Sequence, residues 1–381
     1  MTSWKLPLYK IYSDDEDIQL IKKVVSRGSH WAIGPEIKEF EDELKNYLDV
    51  DYAISLNSGT SALHAALLAY GIGKNDEIIT SSFSFISTAN AALFVGAKPV
   101  FSDIETETYG LDPLKIQSCI TSNSKAILPM DYGGSSCKIF DILDIAHENN
   151  LFLIEDAAES LGSKINNKKV GTISDSSIFS FCGNKIISTG EGGALVTNSK
   201  TIYEKVKLIR SHGRQESQSF FDDPNIGLYT ELGYNWRMSS ITAALGISQL
   251  KKLDKIIKLR QENAKFISEK LKRFSQIKTP ISDSNSEHIF QLYTIRLETK
   301  NLRDGLSKFL SNKGIFSKIY FSPIHLSSFY QKKFNYKTGE LPITEQVSDQ
   351  VLTLPLYSNM TQEEKLYLTD SISEYFESIN K

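Results

Sequence analysis

Residues 178–196 read IFSFCGNKIISTGEGGALV. An apolar strand carrying Ile178, Phe179 and Phe181 runs into a loop with one lysine, Lys185, and an apolar run at 194–196 resumes a strand on the far side. Four glycines, Gly183, Gly190, Gly192 and Gly193, fall inside this loop. In an otherwise well-patterned chain, such density marks backbone that must turn tightly or approach a ligand closely. The loop is poor core material, but it can hold an amine beside a phosphate and a flat ring. Upstream, residues 151–158 read LFLIEDAA, a buried strand that delivers Asp156 at its carboxyl end. An unpaired carboxylate inside an apolar strand is costly, so Asp156 calls for a cationic partner. A lysine after one strand and an acid at the end of another are what pyridoxal phosphate (PLP) needs. The amine bonds the cofactor, and the acid keeps its ring nitrogen protonated so that the ring accepts electrons. Each residue alone has a plainer reading, a solvated lysine and a salt-bridged acid; the expectation rests on the pair.

Outward from this stretch, residues 52–198 alternate short β-rich runs (YAISL, EIITSSF, KPVFSDI, KAILPM, LFLIEDA, SIFSF, GALVTN) with helical segments such as 60–70 and 138–148. That order predicts an α/β fold, a mostly parallel seven-stranded sheet between helices, with ligands bound beyond the carboxyl ends of the strands. Before it, Ser13 with Glu16 reads as a capping box opening an amphipathic helix, and a second helix carries Phe40, Leu44, Tyr47 and Leu48. Past the sheet the pattern changes. A Lys-rich helix is expected over 249–274, a polar loop over 279–287, strands at 290–297 and 315–321, a helix at 302–313, and a last helix capped by Thr361 with Glu364. We therefore expect a large domain over 1–250, including the N-terminal helical segment, and a smaller α+β domain over 251–381. Residues 217–231 read as a surface loop.

The 381 residues are 40% hydrophobic and 23% charged, with a net charge of −3. This balance gives no electrostatic case for nucleic acid or an anionic membrane, and no stretch approaches the roughly 20 apolar residues of a membrane span. With no apolar signal core at the N-terminus, a cytoplasmic location is expected. Cys119, Cys137 and Cys182 have no metal-ligand spacing, so no metal is expected.

Other candidate residues fall on loops. Ser58-Gly59-Thr60 opens a helix whose free N–H groups suit a phosphate, and the Ser180 hydroxyl can join them. Phe85, among serines and threonines, is placed to stack on a ring. Glu159 lies close enough to Asp156 to share its ring. Asn235 and Arg237, in GYNWRM, can bind anionic groups or cap the helix that follows.

Together these segments resemble the PLP-dependent sugar-nucleotide aminotransferases of the DegT/StrS type, in the fold-type-I aminotransferase superfamily. Within that family the GNK-x-x-x-TGEGG loop looks most like the GDP-perosamine synthase branch of 4-aminotransferases. The resemblance runs through WxxGPE at 31–36, SGTSAL, SFSFISTANA, GAKPVFSDI, IEDAAESLGS, FSFCGNKIISTGEGG, RSHG at 210–213, LGYNWRMSSITAALGISQL and SPIH. It implies that Lys185 carries PLP, that Asp156 pairs with the ring nitrogen, that Phe85 stacks on the ring, and that Gly59, Thr60 and Ser180 hold the phosphate. It also implies that Asn235 reaches the cofactor of a neighbouring subunit, giving a homodimer with shared active sites. Trp31, Arg237 and His325 are candidate substrate contacts, His325 having a structural role as its alternative. The implied substrates are L-glutamate and a nucleotide-linked ketosugar aminated at C-4. A 3-keto aminotransferase, a PLP-dependent sugar dehydratase and a non-catalytic sensor of the same fold are the alternatives. The dehydrating relatives carry histidine at the lysine position, which speaks against that branch. One departure stands out: where many relatives have a histidine in a PVHxxG-like segment, this chain has Asp131.

Overall fold

The computed structural model describes residues 4–215, 228–281 and 285–379. In chain order the central strands are β1 (Tyr52–Leu56), β2 (Glu77–Ser81), β3 (Lys98–Ser102), β4 (Ser124–Leu128), β5 (Phe152–Asp156), β6 (Ser176–Ser180) and β7 (Gly193–Thr197). They lie side by side as β1-β7-β6-β5-β4-β2-β3. The five from β3 to β6 pair in parallel, and β7 runs antiparallel to both β6 and β1. Each of the seven runs read between residues 52 and 198 forms one strand. The exception to parallel pairing has a local cause. The lysine loop folds back on itself, with Phe181 N–H donating to Gly192 O and Thr189 N–H to Phe181 O, so β7 returns beside β6 instead of crossing over a helix.

Strands β2 and β7 are buried along their whole length, as expected where both faces of a sheet are covered. On one face, helix α2 (Pro35–Leu48) packs Phe40, Leu44 and Leu48 against Phe179, Phe181 and Val196. On the other, α3 (Gly59–Ala69) sets Ala62, Leu63 and Ala66 against Ile54, Ile154, Ile178 and Leu195. The alanines of α3 let the helix lie close to the strands.

Helix α1 (Asp15–Ser26) corrects the expected cap. Asp14, not Ser13, is the N-cap, and it pairs with Asp17 in the capping box. The choice is made far along the chain, because Lys252 sets its ammonium 2.9 Å from Asp17. Lys252 also divides the expected 249–274 helix into α7 (Ser240–Lys251) and α8 (Leu253–Leu271). Helix α8 sends Leu253, Ile256 and Ile257 into the cluster under the central sheet. Its Ala264, Ile267 and Leu271 belong to a second cluster with Leu6, Tyr293, Ile295, Leu306, Leu354 and Phe376.

That second cluster is sheltered by a three-stranded antiparallel sheet in which β8 (Tyr293–Leu297) lies between the short strand Ile277–Lys278 and β9 (Val351–Leu354). The strand expected at 315–321 is not there. That segment makes only single bridges, Ile315 to Leu6 and Lys318 to Thr353, the second of them on the outer edge of β9. Thr361 and Glu364 do cap the last helix, Gln362–Ile379, each accepting the other's backbone N–H. Most of the expected 217–231 loop lies outside the described residues, as do residues 282–284. Among the described residues no helix is long and apolar enough to cross a membrane, and no cluster suited to a metal ion occurs.

Candidate active site

The chemistry-bearing residues gather beyond the carboxyl ends of β2, β4, β5 and β6. Strand β5 ends on Asp156, whose carboxylate is 3% exposed. One oxygen accepts from the Thr88 hydroxyl at 2.7 Å and the other from Ala158 N–H at 3.2 Å. Burial pushes the Asp156 pKa up, while Thr88, the Ala158 N–H and the charge of Lys185 act to lower it. A carboxylate balanced in this way has a strong call for one more cation.

Lys185 lies in the loop between β6 and β7, its backbone turned by a bond from its N–H to Cys182 O at 2.9 Å. Its Nζ sits 3.1 Å from Glu159 Oε1. Glu159 is itself buried, and its other oxygen accepts from Gly133 N–H at 3.0 Å. The carbonyl just before the lysine, that of Asn184, accepts from Gln291 Nε2 at 2.7 Å. The amine is thus held by an acid after β5, and the backbone just before it is tied to a glutamine from the smaller sheet's side of the chain.

A second set of residues forms a cradle. Ser58 caps α3, accepting from Ser61 N–H, which leaves the N–H groups and positive dipole end of the first turn at Gly59 and Thr60. A Cβ on Gly59 would stand 3.0 Å from Ser180 Cβ, so this turn lies against the last residue of β6. A Cβ on Gly193 would come within 2.3 Å of the Ser58 carbonyl carbon. Glycine is required there by close approach alone, and three segments distant in sequence meet at one point.

Phe85 stands at the N-cap of α4 (Ile86–Phe94) and is 56% exposed, its ring centroid 6.5 Å from that of Phe321. Asn235 is exposed, on a segment that bridges Ser211, while Arg237 is half-buried and donates to the Ser211 hydroxyl at 3.3 Å. Trp31 is exposed, and its carbonyl accepts from Ser240 N–H. His325 has the geometry of its structural alternative. It is fully buried, with Nδ1 2.7 Å from the Ser82 hydroxyl and Nε2 3.1 Å from Glu345, so both ring nitrogens are engaged. Its role is to tie the 324–326 turn to the end of β2.

Sequence reading missed Thr88, Gly133 and Gln291. Thr88 lay within the SFSFISTANA segment, three residues past Phe85, where a hydroxyl in the first turn of a helix beside a buried acid was the available signal. Gln291 and Gly133 carry no local signal.

The profile of the DegT/DnrJ/EryC1/StrS aminotransferase family matches residues 12–373. The chain is 36% identical over 334 residues to GDP-perosamine synthase of Caulobacter vibrioides, covering 87% of each. It is 35% identical to the UDP-4-amino-4,6-dideoxy-N-acetyl-beta-L-altrosamine transaminase of Campylobacter jejuni, covering 97% of this chain and 96% of that one. Among solved structures, Helicobacter pylori PseC, an aminotransferase involved in the biosynthesis of pseudoaminic acid, superposes with a TM-score of 0.91 at 31% identity. That match covers 98% of this chain and 99% of that one.

Proposed function

The chain belongs to the DegT/DnrJ/EryC1/StrS aminotransferase family, and on that premise we propose that it moves an amino group from L-glutamate to C-4 of a nucleotide-linked 4-keto-6-deoxyhexose. The family depends on PLP. The residues present fit that group: a half-buried amine, a buried carboxylate calling for a cation, and a helix N-terminus cleared by Gly59 and Gly193. The observation that carries the reading is Lys185, its Nζ 3.1 Å from buried Glu159 inside a glycine-rich loop.

When bound, the cofactor supplies an electron sink beside the bond to be broken. Lys185 Nζ would attach it and, once displaced by an incoming amine, would carry the proton from and to the substrate carbon. Glu159 would keep that amine oriented. The Asp156 carboxylate would hold the proton on the ring nitrogen, with Thr88 steadying the charge. N–H groups at Gly59 and Thr60 and the Ser180 hydroxyl would bind the phosphate, and the exposed Phe85 ring would cover the cofactor's face. In a homodimer, exposed Asn235 would complete the neighbouring site. Exposed Leu228, Tyr229 and Leu232 on the same segment support burial there by a second copy. Trp31 and Arg237 are the remaining candidates for substrate contact.

Amination at C-4 is favoured by the names of two relatives, a GDP-perosamine synthase and a 4-amino-4,6-dideoxy sugar transaminase. The test is incubation of the purified protein with L-glutamate and a panel of GDP-, UDP- and dTDP-linked 4-keto and 3-keto sugars, with products identified by mass spectrometry and NMR. A 4-amino product is expected. Amination of 3-keto sugars alone, or loss of water without nitrogen transfer, overturns the reading.

A further inference from the structure

Beneath Asp156, on the opposite side of β5, lie two acids that the proposed reaction does not use. The alternating pleat of a strand sends Asp156 to the active-site side and Glu155 to the other. The chain leaving β4 runs beside β5, with Met130 bridging Asp156, Asp131 N–H donating to Asp156 O at 3.1 Å, and Asp156 N–H donating to Pro129 O at 2.9 Å. Met130 shares the side of Asp156, since its sulfur accepts from Ser84, the hydroxyl neighbour of Thr88. Asp131 therefore falls on the side of Glu155, and both are fully buried.

Each carboxyl is half satisfied. Asp131 Oδ1 accepts from Cys137 N–H at 2.8 Å, and Glu155 Oε2 accepts from the Ser174 and Ser177 hydroxyls, each at 2.8 Å. Among the described residues, Asp131 Oδ2 and Glu155 Oε1 are buried without any donor, and neither acid forms an ion pair. The groups that face Asp131 are Glu155 from β5 and the Cys137 thiol, and Glu105 lies near Cys137; none of these is a cation. Two buried carboxylates with no counter-charge cannot both ionise at close range. A single proton placed between the two orphaned oxygens turns one of them into the donor the other lacks.

We propose that Asp131 and Glu155 share one proton through neutral pH, and that this pair is a positioning element that locks the chain after β4 to the end of β5 and so fixes Asp156. Burial and the facing Glu155 hold Asp131 well above the usual carboxylate range, in keeping with this. The proposal goes beyond the amine-transfer reading and does not depend on it.

The test is stability against pH, measured on full-length protein with and without added PLP. The folded pair keeps a proton that the unfolded chain releases near pH 4, so stability supplied by the pair is present at acid pH and lost as pH rises toward the folded value. Asp131→Asn puts an amide N–H where the proton stands while its oxygen still accepts from Cys137, and it has nothing to release. The folding constant of wild type relative to this variant should fall about tenfold per pH unit, about a hundredfold between pH 6 and pH 8. Glu155→Gln should give the same slope. A ratio that stays constant over that range for a folded variant overturns the proposal. Should neither variant fold, infrared spectroscopy of the wild type decides. A protonated carboxylic C=O band persisting at pH 8 supports the shared proton, and its absence refutes it. None of these readouts requires turnover, so failure here leaves the assignment of the reaction standing, and the reverse holds too.

Discussion

Replacing Thr88 by valine removes the hydroxyl 2.7 Å from Asp156 Oδ2 and keeps the shape of the side chain. A hydrogen bond to a charged acceptor contributes about 1.5–3 kcal/mol. That bond favours the ionised carboxyl, so its loss raises the Asp156 pKa, by about 1–2 units at about 1.36 kcal/mol per unit. The shift adds to the rise that burial already causes. In the proposed reaction Asp156 works only when ionised. The acid limb of the rate of amine transfer from glutamate should therefore move up by about 1–2 pH units in Thr88→Val. Stability carries the same sign. A folded-state pKa raised above the unfolded value gives stability that is present at low pH and lost as pH rises through the folded value. The gap in urea stability between wild type and variant should thus be small where both folded forms hold the proton, and should widen to the full bond energy above the variant's pKa. Thr88→Ser restores the donor and should restore both profiles. A folded Thr88→Val protein with an unmoved acid limb would refute the reasoning, since it would mean that Asp156 does not depend on this donor for its charge.

Three further outcomes are expected. Borohydride reduction of the PLP-loaded protein should fix the cofactor to Lys185, and peptide mapping that finds it on any other lysine removes the assignment. Lys185→Ala mixed with Asn235→Ala, after subunit exchange, should give mixed dimers with one intact site and activity above both parents; mixed dimers without that gain would place Asn235 outside the neighbouring site. His325→Ala should lower stability by about 2–4 kcal/mol, from two lost hydrogen bonds and a cavity, with KM for the sugar unchanged; a changed KM at unaltered melting temperature would return the residue to the substrate's side.

The seven strands of the central sheet were readable because each is a short β-rich or apolar run, most of them set between helix signals. Lys185 and Asp156 stood out in the sequence because glycine density and an acid inside an apolar strand are local anomalies, and Glu159 drew notice only as the neighbour of Asp156. What escaped depends on partners far along the chain. Ser13 and Asp14 are both sound caps, and Lys252 decides between them. The segment 315–321 has the composition of a strand, but pairing is a property of two strands, and the edge it lies on, β9, is only four residues long and is met by a single bridge at Lys318. His325 looks the same in sequence whether it faces a substrate or, as here, Ser82 and Glu345. Asp131 was visible as a departure, but its meaning required Glu155 beside it.

Helix α8 is 19 residues long, about 28 Å at 1.5 Å per residue, and it is the common property of two apolar clusters. It acts as a splint. The small sheet cannot swing by bending within that helix without breaking its i→i−4 bonds. Nor can the smaller cluster melt alone, because losing it strips one half of a helix whose other half is still packed. Amide exchange along 253–271 should then report one opening free energy from end to end, the mark of a single cooperative unit bridging what looks like two.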